Sequence, residues 1–190
     1  CLALGVAAIA AIGTIREALE RGLSENGAVL LGGDAQVSLT YRFASPTERA
    51  ALEARATRLS EIADFRSLAA VGDLRVLTQV KAVDSAYPLA GAVTLAPPMP
   101  LAEALKAQNG IYGAVMDPQL IARLGLEVGQ SFSLGEASFT LRAALTHEPD
   151  SVAAGFALGP RTLLYRSALE GSGLLSSGTL FDSSYRLDLP

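Results

Sequence analysis

Three ionisable residues stand close together at the start of a long loop, THEPDSVAAGFALGP: His147, Glu148 and Asp150. A histidine beside two carboxylates is the usual raw material for a metal site or for general acid–base work. The spacing argues against both. Neighbours in one flexible loop seldom converge on a single ion, and the helical His-x-x-x-His or His-x-x-Glu-His arrangement is missing. The cluster is therefore expected to be a solvated loop. His147 is the single histidine, so any nucleophilic serine would have to borrow its base from this loop. No Gly-x-Ser-x-Gly elbow occurs, and the nearest matches, GLSENG and EGSGLL, lack its spacing and its strand-to-helix setting. Leu31-Gly32-Gly33-Asp34 is rich in glycine but has no Lys-Ser/Thr and leads into a strand, so it is not a phosphate-binding loop. Arg161, just after Gly159-Pro160, is expected to make a structural ion pair rather than an anion site. Nothing pairs a general acid with a general base, and the expectation is no catalytic, metal or cofactor residue and no cofactor.

Composition narrows the partners. Net charge is −4 with no block of like charge. Nucleic acid then has no electrostatic footprint, and no basic patch is offered to an anionic leaflet. One cysteine, Cys1, excludes an intrachain disulfide and a thiolate metal cluster. The rest of the chain is compatible with an oxidising compartment. Half the residues are hydrophobic and mean hydropathy is +0.34, raised by the beginning of the chain.

That beginning organises the rest. Cys1 to Ile15 is an apolar run without charge. It passes without proline into a helical period, with Ile12, Ile15, Leu19 and Leu23 on one stripe and the pairs Arg16/Glu20 and Glu17/Arg21 on the other side. Asn26-Gly27 suits a C-cap. One helix from Cys1 to about Ser24, starting in hydrocarbon and ending in water, is the reading. The run is shorter than the roughly 20 residues a span requires, so it is expected to be the end of a transmembrane helix. A secretory signal, a lipoprotein anchored at Cys1 and a buried core helix are the alternatives.

Beyond it, Val37, Leu39, Tyr41 and Phe43 alternate with Gln36, Ser38, Thr40 and Arg42, which predicts a strand with one buried face. Ser45-Pro46-Thr47-Glu48 is a capping box with proline at the first helical position, opening a helix expected to run to about Ser60 with Leu52, Ala56 and Leu59 inward. FRSLAAVG and LRVLTQVKAVD follow as strands joined at Gly72-Asp73. Strand, helix, strand and hairpin strand open an α/β sandwich of ferredoxin-like type. After Pro88 the texture changes: a short strand, a proline-rich bend, a short helix through Lys106, a strand ending at Met116, and a helix capped by Asp117 and closed by Gly125, with Leu120, Ile121 and Leu124 inward. A hairpin turning at Gly135-Glu136 then places Phe139, Leu141, Ala143 and Leu145 on one face. A strand and short helix from Arg161 to Gly171, and a last strand with Tyr185, Leu187 and Leu189, close the chain. The fold class is α+β. An α/β subdomain (28–90 and 155–190) is expected to be split by a β-rich insertion (91–154) and preceded by the helix of residues 1–27.

LGVAAIAAIGTIREALERGL running into LLGGDAQVSLTYRFAS resembles the end of the first transmembrane helix and the start of the extracytoplasmic domain in FtsX/MacB-type ABC-transporter permeases. LIARLGLEVGQSFSLGEASFTLRAAL resembles the LGL..GD...LG hairpin of that superfamily, with Gln130 where Asp is usual. TQVKAVDSAYPLAG, EPDSVAAGFALGPRTLLYRSAL and YRLDLP look closest to its YbbP-like branch. The resemblance implies an inner-membrane permease whose periplasmic domain has a porter-like part and an inserted β-rich part. It implies a cytoplasmic ABC ATPase subunit as partner, with room for a second permease copy or a periplasmic partner protein, and a hydrophobic, lipid-like substrate handled outside the membrane. ATP hydrolysis would be by the separate subunit, so no enzyme activity is expected here. A membrane-anchored periplasmic binding or accessory module is the alternative.

Overall fold

A computed structural model of the chain describes residues 13, 16–17, 27, 31–150, 159–175 and 179–190. Gly13, Arg16, Glu17 and Gly27 are helical; otherwise the expected helix of Cys1–Ser24 lies outside the described residues. No helix among the described residues is long and apolar enough to cross a membrane.

The elements run β1 (Ala35–Thr40), α1 (Pro46–Glu53), β2 (Arg58–Val71), β3 (Leu74–Val83), β4 (Thr94–Ala96), α2 (Leu101–Leu105), β5 (Tyr112–Met116), α3 (Pro118–Leu124), β6 (Ser131–Leu134), β7 (Ala137–His147), β8 (Arg161–Tyr165), a 3-10 turn (Arg166–Leu169) and β9 (Phe181–Asp188). This is an α+β fold built on one mixed sheet with few helices. The long strand β2 decides its shape. One edge of β2 pairs with β3 through the two-residue turn at Gly72-Asp73. Its other edge is shared: residues 58–65 pair with β9, and Ala69-Ala70 pair with β6. Because β3 pairs with β8, β8 with β5, β5 with β7 and β7 with β6, the ladder from β2 returns to β2 and six strands close on themselves. β9 and then β1 extend from this ring as a flap.

The closed ring encloses the main core. Ala63, Phe65, Val80, Met116, Phe139 and Leu164 point in from five strands, and Leu120 and Leu124 of α3 join them. A second apolar cluster lies on the opposite side of β3, β5 and β8, where Val83, Val115 and Leu163 meet Tyr87, Leu95 and Leu105. The middle strands are therefore buried on both faces, which is why they read as near-continuous apolar runs. The hairpin strand β7 serves both clusters. A register shift at Arg142, where Ala114 opposes Leu141 but Val115 opposes Ala143, inserts one residue. A bulge of this kind flips the side-chain alternation. Phe139 and Leu141 consequently face the ring interior, while Ala143 and Leu145 face the second cluster. Sequence alternation had placed all four on one face.

Three other expectations change. The helix opened by the capping box is present, with Ser45 Oγ accepting from Glu48 N–H and Glu48 accepting from Ser45 N–H. It ends at Glu53, not near Ser60, because Arg58 onward is claimed by pairing with β9. It buries none of its residues fully. It is held by polar contacts instead: Arg49 Nη1 lies 2.5 Å from Glu61 Oε2, and Tyr185 donates to Glu61 at 2.8 Å while accepting from Ala44 N–H at 2.9 Å. Strand β1 has no buried face; Val37 and Tyr41 are 37% and 59% exposed, and the backbone turns at Tyr41 with φ +60°. Its one partner among the described residues is β9, beyond the ring, so no layer covers its apolar side chains. The last strand keeps Tyr185 and Leu187 buried, but Leu189 lies past its end and is exposed. Two ladders, β2 with β6 and β5 with β8, join residues 91–154 to residues 28–90 and 155–190.

α2 sits so close to β5 that a Cβ on Gly113 would lie 1.9 Å from the carbonyl oxygen of Ala104 and 2.7 Å from Arg142 Cγ. Gly113→Ala is expected to lift α2 from the sheet and cost about 2–3 kcal/mol, the upper end for overpacking, read as a lowered urea midpoint at unchanged slope.

Candidate functional site

Three strands buried on both faces each carry one cation outward into the same place. On β3, Lys81 stands between the buried Val80 and Ala82 and opposite Asp64 of β2. On β8, Arg161 opposes Gln79 of β3. On β9, Arg186 opposes Ser60 of β2 on one side and Gln36 of β1 on the other. Buried cations demand anions. These come from Asp64 and from the segment directly after β7, where the chain folds back so that Glu148 and Asp150 reach the sheet.

The result is a closed ionic cluster of three cations and three carboxylates. Lys81 Nζ donates to Glu148 Oε1 at 2.5 Å and to Asp150 Oδ2 at 2.7 Å. Arg161 Nη1 donates to Asp64 Oδ1 at 2.9 Å, and its Nε lies 3.3 Å from Glu148 Oε2. Arg186 Nη1 is ion-paired with Asp150, without the alignment of a hydrogen bond. Tyr87 donates to Asp150 Oδ1 at 2.7 Å, and its ring lies 4.8 Å from Lys81 Nζ. Lys81 and Asp150 are essentially inaccessible to solvent, at 1% and 0%.

Electrostatics follow from this packing. At Asp150, burial pushes the carboxyl pKa up, but the charges of Lys81 and Arg186 and the hydrogen bonds from Lys81 and Tyr87 outweigh it, and the group sits below its ordinary value. At Asp64, burial dominates and raises the pKa despite Lys81 and Arg161. Burial, with Glu148 and Asp150 alongside, holds the Tyr87 phenol far above its usual range. A phenol so held is not a nucleophile. The cluster occupies each of its own charged heads with another, an arrangement that fixes a loop to a sheet.

The structure thus divides the triplet singled out in the sequence. Glu148 and Asp150, expected in a solvated loop, are buried in the ionic cluster; the three unpaired strand cations draw them down. His147, the last residue of β7, stays exposed beside a shallow groove lined by Asp117, Thr146 and Arg161. Among the described residues no group of three or more His, Cys, Asp or Glu side chains could hold a metal. Arg161 makes the expected ion pairs. Gln130 accepts from Glu127 N–H at 2.9 Å, closing the turn before β6. Lys81 and Arg186 went unremarked in the sequence. Each is a cation flanked by apolar or aromatic neighbours, VKA and YRL, and that was the available signal.

Gly32 and Gly33 also have a structural role. A Cβ on Gly32 would lie 1.7 Å from Arg186 Nη1, and one on Gly33 would lie 3.0 Å from the carbonyl oxygen of Leu187. The chain enters the domain flat against β9 and directly over the cluster. Asp34 fastens it there: its N–H donates to Leu187 O at 2.9 Å, and its carboxylate accepts from Leu189 N–H at 2.9 Å.

No family model matches the chain. It is 29% identical over 188 residues, 97% of its length, to an uncharacterized ABC transporter permease, YbbP, of Escherichia coli strain K12, and spans 22% of that relative's length. Its fold is that of the periplasmic region of MacB from Actinobacillus actinomycetemcomitans, with a TM-score of 0.50 and 9% identity over 82% of this chain and 76% of that one. The extracellular domain of the noncanonic ABC-type transporter YknZ from Gram-positive bacteria aligns with a TM-score of 0.47 and 8% identity, over 80% of this chain and 83% of that one. The permease relative and the MacB-like fold agree with the resemblance that the sequence motifs carry.

Two outcomes follow from the cluster. Lys81→Met leaves Glu148 and Asp150 buried with too little positive charge and is expected to cost about 3–5 kcal/mol in chemical denaturation. The pH dependence has opposite signs at the two aspartates. Asp150, lowered on folding, adds stability that is complete above its unfolded value near about 3.9 and is lost as pH falls through its folded value. Asp64, raised on folding, costs stability at neutral pH and returns it as pH drops. Asp150→Asn should therefore flatten the acid limb of stability below about pH 4, measured by urea unfolding across pH, while lowering stability at pH 7.

Proposed function

We propose that this chain is the periplasmic domain of an ABC-transporter permease, and that it relays motion generated by a cytoplasmic ATPase to a hydrophobic, lipid-like substrate outside the membrane. The observation that carries the reading is the 29% identity to the YbbP permease across 97% of the chain. The MacB-like fold agrees with it.

Local geometry supports a relay. The described residues early in the chain, Gly13, Arg16, Glu17 and Gly27, are helical, and at Gly32-Gly33 the backbone lies on β9 with no side chain between. A push or tilt arriving there acts on Leu187 and Arg186 directly. Arg186 passes it to Asp150, and β9 passes it through its ladder to β2, the strand that holds the ring together. A six-stranded closed ring deforms little, so the domain is proposed to move as one body with the entering segment as its lever. An α-helix is stiff over a few turns because every turn is hydrogen-bonded, which suits it to that task.

The test breaks the lever without touching the domain. Paired Arg16→Gly and Glu17→Gly substitutions in the permease that carries this domain should leave expression and assembly with the ATPase intact. They should lower ATP-dependent substrate movement by about tenfold, the effect of roughly 1.4 kcal/mol lost from coupling. Unchanged transport would make the helix a mere anchor and favour a tethered binding module.

A further inference from the structure

The strand order begins at β1 and ends at β4, so among the described residues each of these two strands is paired on one side only. An unpaired edge presents a row of N–H and C=O groups that another strand can take up. Proteins blunt such edges by shortening them or by placing proline or charge on them. β4 is blunted: it is three residues long, and Pro97-Pro98 follow at once. β1 is not. Its six residues, AQVSLT, include neither a charge nor a proline, and its register with β9 runs unbroken from Ala35 to Thr40.

The ladder fixes which groups face outward. Tyr41 N–H donates to Phe181 O at 2.8 Å, so the odd-numbered residues of β1 bond to β9. By the alternation of an antiparallel pair, Gln36, Ser38 and Thr40 then turn their backbone N–H and C=O groups to the open edge. All three residues are exposed, and so is Val37 between them. The edge is also self-complementary. A second β1 laid antiparallel about Ser38 sets Ser38 against its own counterpart and Gln36 against Thr40, polar on polar. It sets Val37 against Leu39 on the other face, in the non-hydrogen-bonded position where opposed side chains come closest. This register engages all three outward-facing residues and opposes no like charges. Arg42, just past the strand, is held by Glu48 at 2.7 and 2.9 Å.

We propose that two copies of this chain associate through β1, edge to edge and antiparallel about a two-fold axis at Ser38, so that their sheets run on into one another. A contact of one short strand on each side is small, and the dissociation constant is expected at about 0.1 mM, in keeping with weak interfaces of low area. The pairing needs nothing from the permease reading.

Disulfide cross-linking tests the register, with Cys1, the single cysteine, replaced by serine. Ser38→Cys should join two chains under mild oxidation, because residues opposed in a hydrogen-bonded pair stand about 5.5 Å apart at Cα, within disulfide reach. Gln36→Cys alone should not, since its counterpart lies four residues, about 13 Å, further along the strand. Mixed with Thr40→Cys chains, it should. Sedimentation velocity should show a monomer–dimer equilibrium in the unsubstituted chain. Ser38→Pro removes the central outward N–H at a place where an edge strand accepts proline, and Val37→Lys charges the edge. Each should weaken association about tenfold or more with the circular dichroism spectrum unchanged. A chain monomeric up to about 1 mM would leave the edge to a strand of some other protein and overturn the proposal. So would equal cross-linking of Gln36→Cys and Ser38→Cys, or association undiminished in Val37→Lys.

Discussion

The ion pairs joining Lys81, Arg161 and Arg186 to Asp64, Glu148 and Asp150 hold the rest of the structure in register. Taking six charged groups out of water carries a desolvation cost of several kcal/mol each, which attraction in a low-dielectric interior offsets only when geometry and hydrogen bonding are good. The geometry here is good because the sheet supplies it. Lys81 and Asp64 are cross-strand neighbours, Arg161 lies one row away, and Tyr87 adds a donor from below. The carboxylates of Glu148 and Asp150 come from the segment after β7, and their ion pairs fix the path of the chain out of that strand. Removing one partner exposes the full cost of the others. Replacing the whole cluster by apolar side chains would sacrifice little stability but would leave nothing to specify where that segment goes.

A second constraint is the division of β2. A strand has two edges, and β2 uses one entirely for β3 and splits the other between β9 and β6. Ring closure, the flap and the two apolar clusters all follow from that split. The flap then has one covered end, under Glu148 and Asp150, and one open end around Ser38, Asp182 and Gln79. Polarity along it changes with the covering: charges are paired and buried where the segment after β7 lies, and hydroxyls and amides face water beyond.

Local features were legible in the sequence because their causes are local. The Ser45/Glu48 capping box, Asp117 as N-cap, Gly125 in the left-handed conformation at φ +62° and the turns at Gly72-Asp73 and Gly135-Glu136 depend on residues within a few positions of one another. What could not be read was set by distant partners. The end of α1 is decided by β9, more than a hundred residues away. The bulge at Arg142 moves Ala143 and Leu145 to another core without any glycine or proline to mark it. The loop of Glu148 and Asp150 reads as solvated because the three cations that bury it lie on three separate strands.

Asp34 and Leu189 meet at the same end of the β1–β9 ladder. In antiparallel strands joined this way, drawing the two connections apart loads the backbone hydrogen bonds one after another, as in opening a zip. Displacing both connections together loads none of them. The domain is therefore mechanically soft to a force that separates its two connections and hard to one that carries them in step. That anisotropy comes from where the strands begin and end, independent of any side chain.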